Sequence, residues 1–179
     1  MVENKTVMKA AVAKADAALL QVNSLLLPVT GAVLLVPQLA VAEVLSSGDL
    51  EAGDLHLDET SVSPHYYGWV RWRDQDVPLL SFDSLYSGHR PSLDEDLKVV
   101  ICNAVFKAAA SGFYALVVSG FPRATRLSME SEMVLEGSPS DQKGVQMRVN
   151  IDGEEVLIPD FDLIEEIVFD IVDKKDKSS

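Results

Sequence analysis

The sequence predicts a mostly β chain closed by one helix. Two observations carry this. Short apolar runs recur between turn signals built from Gly, Pro, Asp and Asn. After Pro159 the apolar spacing changes from two residues to three and four. About eight strands follow from the first pattern, which favours antiparallel barrels or a sandwich over a doubly wound sheet.

Residues 1–17 are alanine-rich with scattered charge and read as either a marginal helix or a loose extension. Leu25-Leu26-Leu27-Pro28-Val29 and Ala32-Val33-Leu34-Leu35-Val36-Pro37 flank Thr30-Gly31 and form the first hairpin. Leu39, Val41, Val44 and Leu45 then fit a short helical turn, with Glu43 at its polar edge. The polar, acidic stretch 46–63 reads as loop. A second hairpin joins Tyr66–Arg73 to Val77–Phe82 across the turn Asp74-Gln75-Asp76. Its Pro78 lacks an amide donor and is expected at a sheet edge or bulge.

Loop is expected again over 86–95. Leu97–Phe106 and Tyr114–Val118 are two further strands, joined by 107–112. The stretch 123–141 is polar, interrupted by Met133-Val134-Leu135. Gly144–Val149 and Glu154–Pro159 alternate cleanly about Asn150-Ile151-Asp152-Gly153, which gives the third hairpin. Phe161, Ile164, Ile167, Val168 and Ile171 mark the inner face of the closing helix, capped by Asp160 or Asp162. Residues 173–179 form a charged, frayed tail. The Pro-terminated first and third hairpins raise the question of two similar subdomains.

Charge narrows the function. Fifteen Lys and Arg against 28 Asp and Glu leave a net charge of −13, which repels phosphate backbones and anionic lipid. No apolar run approaches the roughly 20 residues that span a bilayer, and no signal-peptide pattern opens the chain. A cytoplasmic protein is expected, without nucleic acid and without membrane insertion. The single cysteine, Cys102, follows Val99-Val100-Ile101 and should pack as a small hydrophobe.

Catalytic, cofactor and metal signatures are missing from the sequence. His56, His65 and His89 match no common zinc spacing. Neither a Gly-rich phosphate loop nor a G-x-S-x-G elbow occurs. The carboxylates Asp74 and Asp76 are explained by turn chemistry and solubility. A non-enzyme with no catalytic residue, no cofactor and no metal is the expectation; a small hydrolase is the weakest alternative.

One segment stands apart. Trp69-Val70-Arg71-Trp72-Arg73 places two tryptophans and two arginines within five positions of an acidic chain, just after Tyr66-Tyr67. Such residues dominate partner-binding surfaces. On a regular strand Trp69 and Trp72 fall on opposite faces, so either a bulge intervenes or one indole is exposed.

The order of these elements resembles the CheW-like adaptor domain of bacterial chemosensory systems, in character the divergent ChpC-type proteins of twitching motility. The family's middle signature runs from a glycine through Asn-x-Arg-Gly to a hydrophobic-Pro-hydrophobic-hydrophobic-Asp-Leu ending. In this chain Gly68, Arg73, Val77, Pro78, Leu79 and Leu80 match it, whereas Arg71, Asp74 and Ser81 replace its asparagine, glycine and aspartate. Leu34-Leu35-Val36-Pro37 with Val41-Ala42-Glu43-Val44-Leu45 matches the strand and Glu-containing helical turn upstream. Tyr114–Val118 matches the strand opening the second half, and Val156–Asp162 the last strand and helix start. The likeness runs from about Leu20 to Val172.

The resemblance implies two intertwined five-stranded barrels with short helices and a C-terminal helix, over a domain at 18–172. It implies a non-catalytic adaptor that couples a chemoreceptor's cytoplasmic tip to the regulatory domain of a CheA-type histidine kinase, with other CheW-like adaptors as further partners and a type IV pilus pathway as its setting. It carries Arg73 to the receptor-facing groove and Glu43 to the partner surface nearby. Trp69, Arg71, Trp72 and Asp74 complete the candidate set, and the altered Arg71, Asp74 and Ser81 imply a specialised partner. A ligand-sensing β-barrel is the alternative.

Overall fold

In a computed structural model the described residues are 21–51, 53–58, 63–88, 90, 98–105, 112–127, 133–135 and 140–177. The expected extension 1–17, His89 and most of the 107–112 connection lie outside them. The first hairpin forms where expected, from β1 (Val22–Val29) and β2 (Ala32–Pro37), with Gly31 at φ 80° supplying the left-handed turn position. The helical turn expected over 38–45 is a single 3-10 turn, Gln38–Ala40. Val41 and Val44 then enter a strand, β3 (Val41–Ser46), because β-branched side chains pair well against a neighbouring strand. Glu43 therefore projects from a strand and not from a helix.

A second 3-10 turn, Ser47–Asp49, leads to β4 (Leu55–Leu57), a strand inside the stretch read as loop. Its residues are mostly exposed, so no alternation marks it; backbone pairing to β5 (Tyr66–Trp72) makes it. The second hairpin joins β5 to β6 (Gln75–Ser81) through a shorter turn than expected, Arg73-Asp74, with Gln75 and Asp76 already in the strand. A short helix α1 (Phe82–Tyr86), β7 (Lys98–Asn103) and β8 (Phe113–Val118) follow. The polar stretch after it contains β9 (Arg123–Leu127) and β10 (Met133–Leu135). β11 (Val145–Ile151), β12 (Glu154–Pro159) and α2 (Phe161–Asp176) complete the chain. The third hairpin turns at Asp152-Gly153, where Asn150 Oδ1 accepts the Gly153 amide at 2.8 Å. Asp160 Oδ1 caps α2 by accepting from the Leu163 amide, and the helix continues into the expected tail.

Among the described residues twelve strands thus form two six-stranded sheets, in the orders β10-β11-β12-β2-β1-β9 and β3-β7-β8-β6-β5-β4. Neither closes, so the two intertwined five-stranded barrels that the resemblance implies are not what the described residues form. The short apolar runs between turns report which strands are buried and not whether a sheet's edges join, so an open sheet satisfies them equally well. The edge strands β4 and β10 are three residues long, and β3 carries a register shift between Val41 and Glu43. The first and third hairpins lie side by side in one sheet through the parallel pair Leu157–Leu34. In the second sheet β6 is interior, so Pro78 is not at an edge. It sits one residue before the register with β8 begins at Leu79, where an absent amide costs no ladder bond on that side.

Each sheet buries both faces. Leu27, Val29, Leu34 and Val36 meet Leu80, Val100, Leu116 and Val118 in the layer between sheets, closed by Ile164 and Val168 of α2. On the opposite faces Leu26 and Leu35 pack with Val149, Ile151 and Val156, while Leu45 packs with Val70, Trp72 and Val77. This double burial is why Leu25–Leu27 and Val33–Val36 read as unbroken apolar runs. Cys102 lies in the shared layer, 2% exposed, as a small hydrophobe.

Gly68 is held at φ 133°, and a Cβ there would overlap the His56 carbonyl of β4. Gly153 has positive φ but open space around it. Gly153→Ala is expected to cost about 1 kcal/mol from backbone conformation alone. Gly68→Ala should cost more, with hydrogen-exchange protection lost specifically at β4, measured by urea denaturation and amide exchange.

Candidate protein-interaction groove

The β5–β6 turn has Arg73 at φ 48° and Asp74 at φ 61°, the geometry of a two-residue type I′ turn. Asp tolerates this region; an arginine there is uncommon. Its side chain makes two contacts beyond the turn. The guanidinium lies 4.6 Å from the centroid of the Trp72 ring, and Nη2 donates to Glu43 Oε2 at 3.0 Å.

Trp72 Nε1 donates to the same Glu43 oxygen at 2.9 Å. The indole is 7% exposed and stands edge-on to Phe113, centroids 4.9 Å apart. Burial of that ring is compatible with its polar N–H because Glu43 accepts from it. Glu43 follows the bulge in β3, so its side chain reaches across the open side of the sheet to the β5–β6 hairpin.

Along this open side runs a groove of about 390 Å³. Glu43 and Leu45 of β3 form one wall, and Arg71 to Asp74 form the other. The connection between β3 and β4 contributes Asp49, Leu50 and Asp54. Asp49 caps its own turn: Oδ2 accepts from the Ser46 hydroxyl at 2.6 Å and the Ser46 amide at 2.8 Å. The hydroxyl first, then the amide, hold its carboxyl below the usual range.

The opposite face of the hairpin carries a second cluster. Trp69 meets Tyr66 edge-on at 6.0 Å, and Lys175 of α2 places Nζ 3.7 Å from the Trp69 ring centroid. Asp76 accepts from Arg71 Nη1 at 3.0 Å and from Lys175 Nζ at 3.5 Å. The hydrogen bond from Arg71 is the main cause holding the Asp76 carboxyl below its ordinary 3.8.

Of the six residues singled out from sequence, Glu43, Trp72 and Arg73 are in direct contact, and Asp74 and Arg71 line the same groove. Trp69 stands on the other face, half-buried, which settles the question its spacing raised; the register shift in β5, between Tyr66 and Gly68, precedes both tryptophans. Asp49, Asp54 and Lys175 were not singled out. The Ser46-x-x-Asp49 spacing is a capping-box pattern, and Lys175 continues the Ile164–Val168–Ile171 face of α2, so both carried a signal.

The groove lining contains no Ser, Cys or His. His56 is exposed on β4, and burial lowers the pKa of His65. Burial pushes the Cys102 thiol up to about 12, far from a nucleophile's range. Among the described residues no group of three His, Cys, Asp or Glu is placed to hold a metal ion, and no helix is long and apolar enough to cross a membrane.

No family model matches the chain, and no curated protein matches it in sequence. Solved structures do. The scaffolding protein TtCheW from Thermoanaerobacter tengcongensis superposes with a TM-score of 0.58 at 12% identity, covering 77% of this chain and 88% of that one. The chain therefore has a CheW-like fold.

Asp76 has a folded pKa below its unfolded value, so its contribution is present above about pH 3.8 and lost as pH falls through the folded value. The stability difference between the protein and Asp76→Asn is expected to be constant from neutral pH down to that region and to shrink below it. Urea denaturation across pH checks this; a difference that persists at the acid end contradicts the assignment.

Proposed function

We propose that this protein is a non-catalytic chemosensory adaptor of the CheW kind, coupling a chemoreceptor's cytoplasmic tip to the regulatory domain of a CheA-type histidine kinase. The observation that carries the reading is the Glu43–Trp72–Arg73 contact at a groove in a CheW-like fold. Both charged residues were assigned to a partner surface by resemblance, from positions 30 apart in sequence, and they meet.

Arg73 suits the role physically. Its side chain is 68% exposed, so the bond to Glu43 is worth at most about 1 kcal/mol to folding. Trp72 continues to donate to Glu43 when Arg73 turns away, and the half-exposed Glu43 carboxylate is also open to water, so the guanidinium can bond a partner without leaving that carboxylate bare. Residues 18–172 form the adaptor unit in this reading, with 1–17 an extension and the tail from 173 adding Lys175 to the surface. The departures at Arg71, Asp74 and Ser81 support a specialised partner, and we place the protein with the ChpC-type adaptors of twitching-motility pathways. Other CheW-like adaptors are the remaining partner class.

The ligand-sensing alternative has less behind it. The void between α2 and the second sheet, lined by His65, Leu80, Phe82 and Ile164, has a volume of about 10 Å³, room for no more than a water molecule.

Titration of the purified chain against the kinase regulatory fragment and against the receptor tip, at two salt concentrations, tests the reading. Arg73→Asn is the clean probe, because asparagine accepts the left-handed turn that alanine resists. Binding should fall roughly tenfold with the thermal midpoint unchanged. Failure of both fragments to bind the unaltered chain would overturn the reading.

A further inference from the structure

Away from the groove, large apolar side chains stand exposed along a line that runs from the start of β1 to α2. Val22 opens β1, and Ser24 pairs with Pro37, which leads into the Gln38–Ala40 turn. Leu39 in that turn is 90% exposed. Asn103 Nδ2 donates to the Leu39 carbonyl at 2.9 Å, which sets the end of β7 against the turn. Two residues on, Val105 is 66% exposed while Glu165 of α2 accepts its amide. Phe169, one helical turn beyond Glu165, is 49% exposed. Single exposed apolar residues need no explanation, but a run that crosses four elements marks a surface with an occupant. Beside Phe169 the exposed side of α2 carries Asp162, Glu166 and Asp170 at four-residue steps.

The sequence ahead of β1 fits that surface. Met8, Val12, Ala15 and Leu19 are spaced by four, three and four residues, with Val7 and Ala11 alongside, which is the spacing of one helix face. On a helix Lys5 and Lys9 border this stripe on one side and Lys14 on the other. Residues 1–20 thus carry three lysines against Glu3 and Asp16, in a chain of net charge −13. A 20-residue helix is about 30 Å long, the width of a small domain. It is marginal in water unless an apolar surface supports it. The segment joins the described residues at Gln21, next to Val22 and the Leu39 turn, and so short a tether makes the local concentration high. Going beyond the adaptor reading, we propose that residues 1–20 dock as an amphipathic helix over Leu39, Val105 and Phe169. Leu19 then lies toward Leu39 and Met8 toward Phe169, which brings Lys5 and Lys9 to the acidic row of α2.

The test uses the full chain with methyl-labelled Leu and Val and a thiol-linked nitroxide at Ala13→Cys, a position that faces away from the apolar stripe. Cys102 is 2% exposed and does not compete for the reagent. The nitroxide should broaden the methyl signals of Leu39 and Val105 and leave that of Leu57, an exposed leucine on the edge strand β4, unchanged. Adding Val12→Asp and Leu19→Asp should reduce the broadening at Val105 several-fold. These substitutions lie outside the two sheets, and an otherwise unchanged methyl spectrum certifies folding. Lys5→Glu with Lys9→Glu should reduce the broadening at Val105 less than the apolar pair does.

Absence of broadening at Val105, equal broadening at Leu57, or broadening at Val105 that survives Val12→Asp with Leu19→Asp would overturn the proposal. A mixture of nitroxide-tagged chains without methyl label and methyl-labelled chains without nitroxide separates the two sources of the segment. Broadening at Val105 in that mixture assigns the surface to a second copy of the chain and removes the intrachain docking. Its loss in the mixture, with broadening kept in the doubly labelled chain, is the expected result.

Discussion

The Glu43 carboxylate connects parts of the second sheet that strand pairing leaves apart. Among the described residues β3 is bonded to β7 alone and β4 to β5 alone, so the sheet does not join its ends. One oxygen of Glu43 accepts from both Trp72 and Arg73, fixing β3 to the β5–β6 hairpin through side chains where a barrel would use main chain. The first sheet has a counterpart in Arg123 of β9, which donates to both oxygens of Glu154 at the start of β12, at 2.8 and 3.0 Å. A main-chain seam is continuous and fills its own gap. A seam made by a carboxylate and two donors leaves room beside it, and in the second sheet that room is the groove.

The hairpin that faces the groove is itself a two-sided device. Strand alternation sends Trp72 inward to Phe113 and Glu43, and Trp69 outward to Tyr66 and Lys175. The closing helix thus holds one face while the other lines the groove. Gly68 lets β4 approach closely enough to back this arrangement, since any side chain there would displace the His56 carbonyl.

Much of this was legible in the sequence. Hairpins bounded by Thr30-Gly31 and Asp152-Gly153 follow from turn chemistry alone, and the closing helix follows from its period. Arg73 stood out in the Trp69–Arg73 cluster itself, whereas Glu43 was reached as a partner residue only through a resemblance, because no spacing rule joins residues 30 positions apart. What escaped has identifiable causes. β4 and β9 are short edge strands with exposed side chains, held by backbone pairing that leaves no alternation. The helical reading of 38–45 failed because apolar spacing of three and four is also met by a 3-10 turn running into a bulged strand. Barrel closure is a property of the edges, and periodicity reports only faces. Glu165, 1% exposed, accepts the amide of the exposed Val105 at 2.7 Å, a burial that composition would not predict for a carboxylate.

The parallel joins have a consequence for how the molecule assembles. β2 is made early, but its neighbour β12 pairs Leu157 with Leu34, more than 120 residues later in the chain. β1 likewise waits for β9. On a ribosome the first hairpin therefore emerges with both of its outer edges and both apolar faces unsatisfied, and it stays so until almost the whole domain has been synthesised. Loop closure over such distances is entropically unfavourable before any contact offsets it, so docking of the third hairpin against the first carries a large closure cost. A nascent chain of this kind spends its growth as an open, aggregation-prone strand pair, and its yield in the cell depends on what shields Leu25 to Val36 during that interval.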